Sequence, residues 1–117
     1  MHEMSIVQSL QDIIRQEMGR HGVTRLLAVR VVHGRLTNVV PEALEFAWEV
    51  MTKDTDMEGA RLETEEIPLK LRCGGCRREF EPEDITAVLA PCPVCGEQIG
   101  HEVVAGRELH IAHIEAE

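Results

Sequence analysis

Residues 71–100 read LRCGGCRREFEPEDITAVLAPCPVCGEQIG, and all four cysteines of the chain fall inside this stretch, as Cys73-Gly74-Gly75-Cys76 and Cys92-Pro93-Val94-Cys95 with 15 residues between them. Two thiolates two residues apart can grip one ion from a single tight turn, and a second such turn closes a tetrahedron on a soft, d10 metal. The gap falls in the ~15–20 residue range of ribbon-type zinc sites. The expected product is a zinc-ribbon lobe built around one structural zinc on Cys73, Cys76, Cys92 and Cys95. Four protein ligands close the coordination sphere, whereas a catalytic zinc keeps a position open for water.

The flanking residues suit that chemistry. Gly74, Gly75 and Gly96 read as positive-φ positions that let backbone N–H groups point at sulfur. Arg72, Arg77 and Arg78 are placed to offset the net double negative charge of a zinc tetrathiolate. Three other uses of the cysteines compete: disulfides, a redox pair of the Cys-Pro-x-Cys kind, and a rubredoxin-like iron. Disulfides would imply export, and the chain does not open on a basic start followed by an apolar stretch of signal-peptide length, so a cytoplasmic protein is expected. A redox pair needs no matched second pair downstream. Iron meets the ligand type alone, and the spacing favours zinc.

Outward from the lobe, the remaining chain reads as two helices and a small sheet. Ile6, Val7, Leu10, Ile13, Ile14 and Met18 recur at helical spacing, with Gln8, Gln11, Asp12 and Arg15 assigned to the opposite face. Ser5 and Gln8 can form a capping box, with a start two residues earlier as the alternative, and Gly19 or Gly22 ends the helix. Leu26 to Val32 is apolar and β-branched with one charge, Arg30, as in a strand covered by helices. Pro41 at a first helical position opens a second helix whose inward stripe is Leu44, Ala47, Trp48 and Met51. Glu42, Glu45 and Glu49 read as its solvated face rather than a metal site. Arg61 to Leu71 reads as a strand broken at Pro68. Glu102–Ala105 and Glu108–Ile114 read as extended runs around a hairpin-like reversal at Gly106-Arg107, the last returning to the main sheet. The fold class is therefore α+β: a small mixed sheet with two helices plus a zinc-ribbon lobe.

Composition narrows the function classes. A chain of 117 residues with 44% hydrophobic content can bury one modest core, and no apolar run approaches the ~20 residues that span a bilayer. A net charge of −9 argues against a nucleic-acid partner, which would require a basic stripe. A zinc or nickel hydrolase would need an open metal beside a positioned base, which a four-cysteine site does not provide.

The start, Met1-His2-Glu3, is the second chemically loaded place. A histidine at position two lets the α-amine, the backbone amide of residue two and the imidazole converge on one ion, and nitrogen-rich tetragonal sites favour nickel(II) or copper(II). Glu3 can add an oxygen or simply complement the helix dipole. The remaining histidines, His21, His33, His101, His110 and His113, read as surface or strand residues without metal, His101 standing out because it follows the second knuckle.

Met1-His2-Glu3-Met4-Ser5-Ile6-Val7, Pro41-Glu42-Ala43-Leu44-Glu45-Phe46-Ala47, the two cysteine pairs and the closing Gly106-Arg107-Glu108-Leu109 and Ile114-Glu115 together resemble the HypA family of nickel metallochaperones for hydrogenase maturation. The resemblance covers essentially the whole chain. It implies a non-enzymatic protein with residues 1–70 plus 101–117 as an α/β nickel-binding lobe and residues 71–100 as the zinc-ribbon lobe. Nickel would be held by the Met1 amine, His2 and Glu3 and delivered to the hydrogenase large-subunit precursor. A HypB-type GTPase is the implied partner, with urease maturation proteins as a second route in some members. Two departures stand out: Arg77 and Gly96 follow the cysteine pairs where some members carry histidines, and Val39 and Val40 occupy a stretch where some carry an aspartate ligand. The alternative from another class is a zinc-ribbon protein-interaction module without nickel delivery.

Overall fold

The computed structural model describes residues 3–82 and 90–117. Two helices and six strands follow in the order α1 (Glu3–His21), β1 (Leu26–Gly34), α2 (Pro41–Thr52), β2 (Arg61–Ile67), β3 (Lys70–Arg72), β4 (Glu79–Phe80), β5 (Glu102–Ala105) and β6 (Leu109–Ala116). They form two three-stranded sheets, ordered β2-β1-β6 and β4-β3-β5. The chain divides into two compact units: residues 1–32, 39–65 and 110–117 in the first, and residues 33–38 and 66–109 in the second. Residues 33–38, 66–70 and 101–109, expected in the larger lobe, lie in the second unit. The reason is strand pairing: β3 takes β5 as an antiparallel partner, Leu71 opposite Val103 and Arg72 opposite Glu102, which draws both flanks of the cysteine segment into one sheet.

In the first unit α1 is helical from Glu3, the first described residue, so Ser5 sits inside the helix rather than capping it. Its end is a paired C-terminal cap: Gly22 at φ +68° lets Val23 N–H reach Met18 C=O (3.1 Å) and Gly22 N–H reach Gly19 C=O (3.4 Å). Val7, Leu10 and Ile14 face the core as expected, whereas Ile13 is exposed and Gln11 is buried. Gln11 lies four residues after Val7 and three before Ile14, so helical geometry places it on the inner stripe despite its polarity. Its amide Nε2 donates to Met51 C=O (3.1 Å), one of the terminal carbonyls that α2 cannot satisfy internally.

Pro41 occupies the first turn of α2 as anticipated, and Leu44, Ala47 and Trp48 are buried with Met51 packed against them. Trp48 Nε1–H donates to Ala60 C=O (3.0 Å), which satisfies the indole inside an apolar cluster that includes Leu26, Val29, Val31 and Met57. Glu42, Glu45 and Glu49 are exposed, as a solvated face should be. The main sheet closes on β6, which runs antiparallel to β1: Arg25 and Glu117 exchange both backbone hydrogen bonds at 2.9 Å.

The break at Pro68 is real and separates β2 from β3. The hairpin at Gly106-Arg107 is not: β5 pairs in the second sheet and β6 in the first. The turn carries the chain from one sheet to the other, with Gly106 at φ +125°. It also requires glycine at residue 34, where a Cβ would fall 2.1 Å from the Gly106 carbonyl carbon and oxygen.

Candidate metal centre

Each cysteine pair occupies a turn of the same local design. In the first, Cys73 N–H donates to Arg78 C=O (2.8 Å) and Arg77 N–H to Cys73 C=O (3.2 Å); in the second, Cys92 N–H donates to Glu97 C=O (2.9 Å) and Gly96 N–H to Cys92 C=O (2.9 Å). The residue after each second cysteine must then take a left-handed conformation, Arg77 at φ +67° and Gly96 at φ +79°. The positive-φ assignment therefore holds for Gly96 but not for Gly74 or Gly75; Arg77 carries that conformation instead, against the ordinary Cβ penalty. Gly74 is required for another reason. A Cβ there would sit 2.7 Å from the carbonyl oxygens of Ile99 and Gly100.

The turns aim backbone N–H groups at sulfur. Gly75 N–H (3.2 Å) and Cys76 N–H (3.4 Å) donate to Cys73 Sγ, and Val94 N–H (3.4 Å) donates to Cys92 Sγ. The four Sγ atoms lie within 4.8 Å of one another, with Cys73 to Cys95 at 3.4 Å and Cys76 to Cys92 at 3.6 Å. Four sulfurs at the ~2.3 Å zinc–thiolate bond length stand about 3.8 Å apart in a tetrahedron, so the cluster is already close to the size such an ion imposes. No other group of three or more His, Cys, Asp or Glu side chains among the described residues gathers in this way.

The electrostatics point the same way. Burial pushes the Cys73 thiol up, but the N–H groups of Cys76 and Gly75 and the adjoining thiols of Cys95 and Cys92 outweigh it and bring its pKa down to about 6. For Cys76 the Arg78 N–H favours the thiolate, yet burial and the crowding of Cys92, Cys73 and Cys95 win and raise its pKa to about 11. Cys92 is lowered, its largest contribution being the Cys95 N–H. Without a cation the cage cannot hold four thiolates at once, because each deprotonation raises the cost of the next. A divalent ion removes that conflict, and so the donor set fits a zinc tetrathiolate; Cys73, Cys76, Cys92 and Cys95 would hold it, and it would cross-link the two turns. Cys73 and Cys92 are buried and Cys95 is exposed, so the cage opens to solvent on the Cys95 side. Arg72 does not serve as a free counter-charge to the cage. Its guanidinium is held by Glu79 (2.9 Å) and Glu102 (3.1 Å), which ties β3 to both of its neighbours.

The nickel ligands expected at the start fall differently. Met1 and His2 lie outside the described residues. Glu3 begins α1, half-buried, and lines an open groove of about 240 Å³ together with Met4, Ala43, Phe46, Ala47 and Val50. Of the other histidines, His21, His110 and His113 are exposed, while His33 is buried with no hydrogen-bond partner at Nε2. His101, set aside on sequence, is engaged at both ring nitrogens: Gly74 N–H donates to Nδ1 (3.1 Å) and Nε2 lies 2.8 Å from Ala90 C=O.

Comparison with known proteins places this geometry in context. Residues 1–116 match the family described as "Hydrogenase/urease nickel incorporation, metallochaperone, hypA". The chain is 56% identical to hydrogenase maturation factor HypA of Solidesulfovibrio magneticus and 46% identical to that of Lawsonia intracellularis, in both cases over 100% of either chain. The fold is that of the solution structure of the Ni metallochaperone HypA from Helicobacter pylori, with a TM-score of 0.67 at 20% identity over 99% of this chain and 97% of that one. A second HypA solution structure matches with a TM-score of 0.71 at 20% identity, over 99% of this chain and 96% of that one.

Proposed function

The chain belongs to the HypA family of nickel-incorporation metallochaperones, and on that premise we propose that it carries nickel(II) at its N-terminus and delivers it to the hydrogenase large-subunit precursor. The Met1 amine, His2 and Glu3 hold the cargo, and Cys73, Cys76, Cys92 and Cys95 hold a structural zinc. The protein makes and breaks no covalent bond. A HypB-type GTPase supplies or gates the nickel, urease maturation proteins are a second destination, and the exchange takes place in the cytoplasm.

One observation carries the division of labour. Among the described residues the cysteine cage is the sole cluster able to hold a metal, and its four soft ligands suit a resident ion rather than one to be handed on. A separate cargo site is then needed, which favours the start of α1. The first amide N–H groups of a helix have no partner within it, and nitrogen donors favour nickel. Such a terminal site can be dismantled ligand by ligand. No described helix is long and apolar enough to cross a membrane.

The test is a calorimetric titration of nickel into untagged, zinc-loaded protein and into the same protein with two residues added before Met1. The addition displaces the amine while leaving His2, Glu3 and the cysteine cage intact. Loss of one nickel equivalent with zinc retained is the expected result. Equal binding by both proteins, or by neither, overturns the N-terminal site and leaves a zinc-ribbon interaction module as the better reading.

A further inference from the structure

We infer that His101 is a positioning residue of the metal lobe, a brace whose imidazole ties the two cysteine turns together and presets the spacing of the four thiolates. The inference rests on the reading of Cys73, Cys76, Cys92 and Cys95 as a metal cage. His101 sits just before β5, beyond the second turn, yet it reaches into the first: its Nδ1 accepts from Gly74 N–H at 3.1 Å, one residue after the ligand Cys73. On the other side of the ring Nε2–H donates to Ala90 C=O at 2.8 Å, two residues ahead of the ligand Cys92. Since Nδ1 is used as an acceptor, the ring proton resides on Nε2, and the two contacts together select one neutral tautomer.

The ring plane is fixed as well. Phe80, on β4, meets the imidazole edge to face with centroids 5.2 Å apart and planes at 83°. Gly74 completes the device. Its α-carbon lies so near the Ile99 and Gly100 carbonyls that a Cβ would come within 2.7 Å of either oxygen. A substituted residue 74 would push the first turn away from His101 and break the brace from the opposite side.

Both ring nitrogens being engaged, His101 offers no lone pair to an ion and acts through the geometry of the cage. Its contribution is preorganisation: the turns are held before the metal arrives and resist opening while it is bound. Partners of this kind, which orient ligands without touching the metal, typically change metal affinity by about 10–100-fold when removed.

The experiment uses the zinc-loaded full chain and follows release of zinc to a chromophoric chelator at neutral pH for the native protein, His101→Phe and His101→Asn. His101→Phe keeps a ring against Phe80 and removes both hydrogen bonds; His101→Asn keeps an acceptor near Gly74 and shortens the reach to Ala90. Zinc should leave His101→Phe about 10–100-fold faster than native protein, with His101→Asn between them. Nitrogen-15 spectra should show the His101 ring of native protein as the Nε2–H tautomer and slow exchange of the Gly74 amide, lost in His101→Phe. Trp48 fluorescence, reporting on the other unit, should not change. Native release rates in both variants, or a ring protonated at Nδ1 in native protein, overturn the brace. A native chain that takes up no zinc at its cysteines overturns the cage reading and the brace with it.

Discussion

The two units of this chain are held by different physics. The first buries Val7, Ile14, Val29, Val31, Leu44, Trp48 and Met57 in one contiguous apolar cluster contributed by both helices and the sheet. In the second, the buried hydrophobic side chains among the described residues are Leu69, Leu71, Cys73 and Cys92, two of which belong to the cysteine cage. Hydrophobic burial grows with the number of packed side chains, so the first unit can pay its conformational entropy from packing and the second cannot. A lobe of short strands and two tight turns needs a staple, which a metal held in the cysteine cage would supply. Under the proposed function the difference would also separate two tasks, a resident ion building structure in one unit and the other left to carry a cargo.

The most severe way to break the contrast is to remove the staple. Cys73→Ser, or exhaustive chelation, should abolish slow amide exchange throughout the second unit, since zinc sites of this kind contribute on the order of 10 kcal/mol of folding free energy. Trp48, the sole tryptophan, reports on the first unit and should keep its native emission. If the tryptophan signal collapses together with the lobe, the units form one cooperative block and the contrast fails.

The converse experiment attacks the packed unit. Ile14→Ala removes a fully buried side chain and should lower unfolding free energy by about 3–4 kcal/mol, read in a denaturant titration followed at Trp48. Zinc stoichiometry at 25 °C should be unchanged in the same samples. A loss of less than about 1 kcal/mol would mean that the core, too, leans on the metal.

Acid should discriminate between the units. The Cys73 pKa is depressed, so its thiolate contributes fully above the ordinary thiol value of 9.0 and that contribution disappears as pH falls through about 6. A bound cation extends the thiolate range lower still. Because thiolate ligands must be deprotonated to hold the ion, zinc release to a chelator should rise as pH falls, while Trp48 emission stays native. Release that does not change with pH would contradict thiolate ligation by the cage.

The smallest effect sharpens the comparison of the two turns themselves. Arg77 and Gly96 occupy equivalent left-handed positions, and Arg77 alone bears a Cβ there. Arg77→Gly should slow zinc release slightly and Gly96→Ala should hasten it, each by no more than about 1 kcal/mol. Equal and opposite shifts would establish that the turns contribute alike; a shift in only one would show that a single turn limits opening.

Much of this was legible without coordinates because it depends on local rules. The Cys-x-x-Cys spacing, the Pro41 helix start, the inward stripe Leu44–Ala47–Trp48 and the break at Pro68 each follow from turn chemistry or periodicity within a few residues. Misreadings occurred where a distant segment decided the matter. Gln11 looked solvent-facing until the end of α2 supplied a carbonyl for its amide, 40 residues away. Gly106-Arg107 looked like a hairpin because two extended runs flank it, but β3 and β1 compete for those runs and take one each. Gly74 looks like a conformational glycine in sequence, yet the Ile99–Gly100 backbone leaves no room for a side chain there. A histidine shortly after the second knuckle was the one available sign of the brace, and it could not be told from a surface residue until Gly74 and Ala90 were found on either side of it.

The sequence by itself determined which four cysteines form the cage, the two amphipathic helices and the family, because spacing, periodicity and full-length similarity are properties of the chain alone. Only the tertiary structure decided which strands share a sheet, where one unit gives way to the other and which backbone groups His101 meets. Those outcomes depend on hydrogen bonds and steric contacts between segments far apart in the chain, where one backbone's unpaired donors and free space are set by another's position.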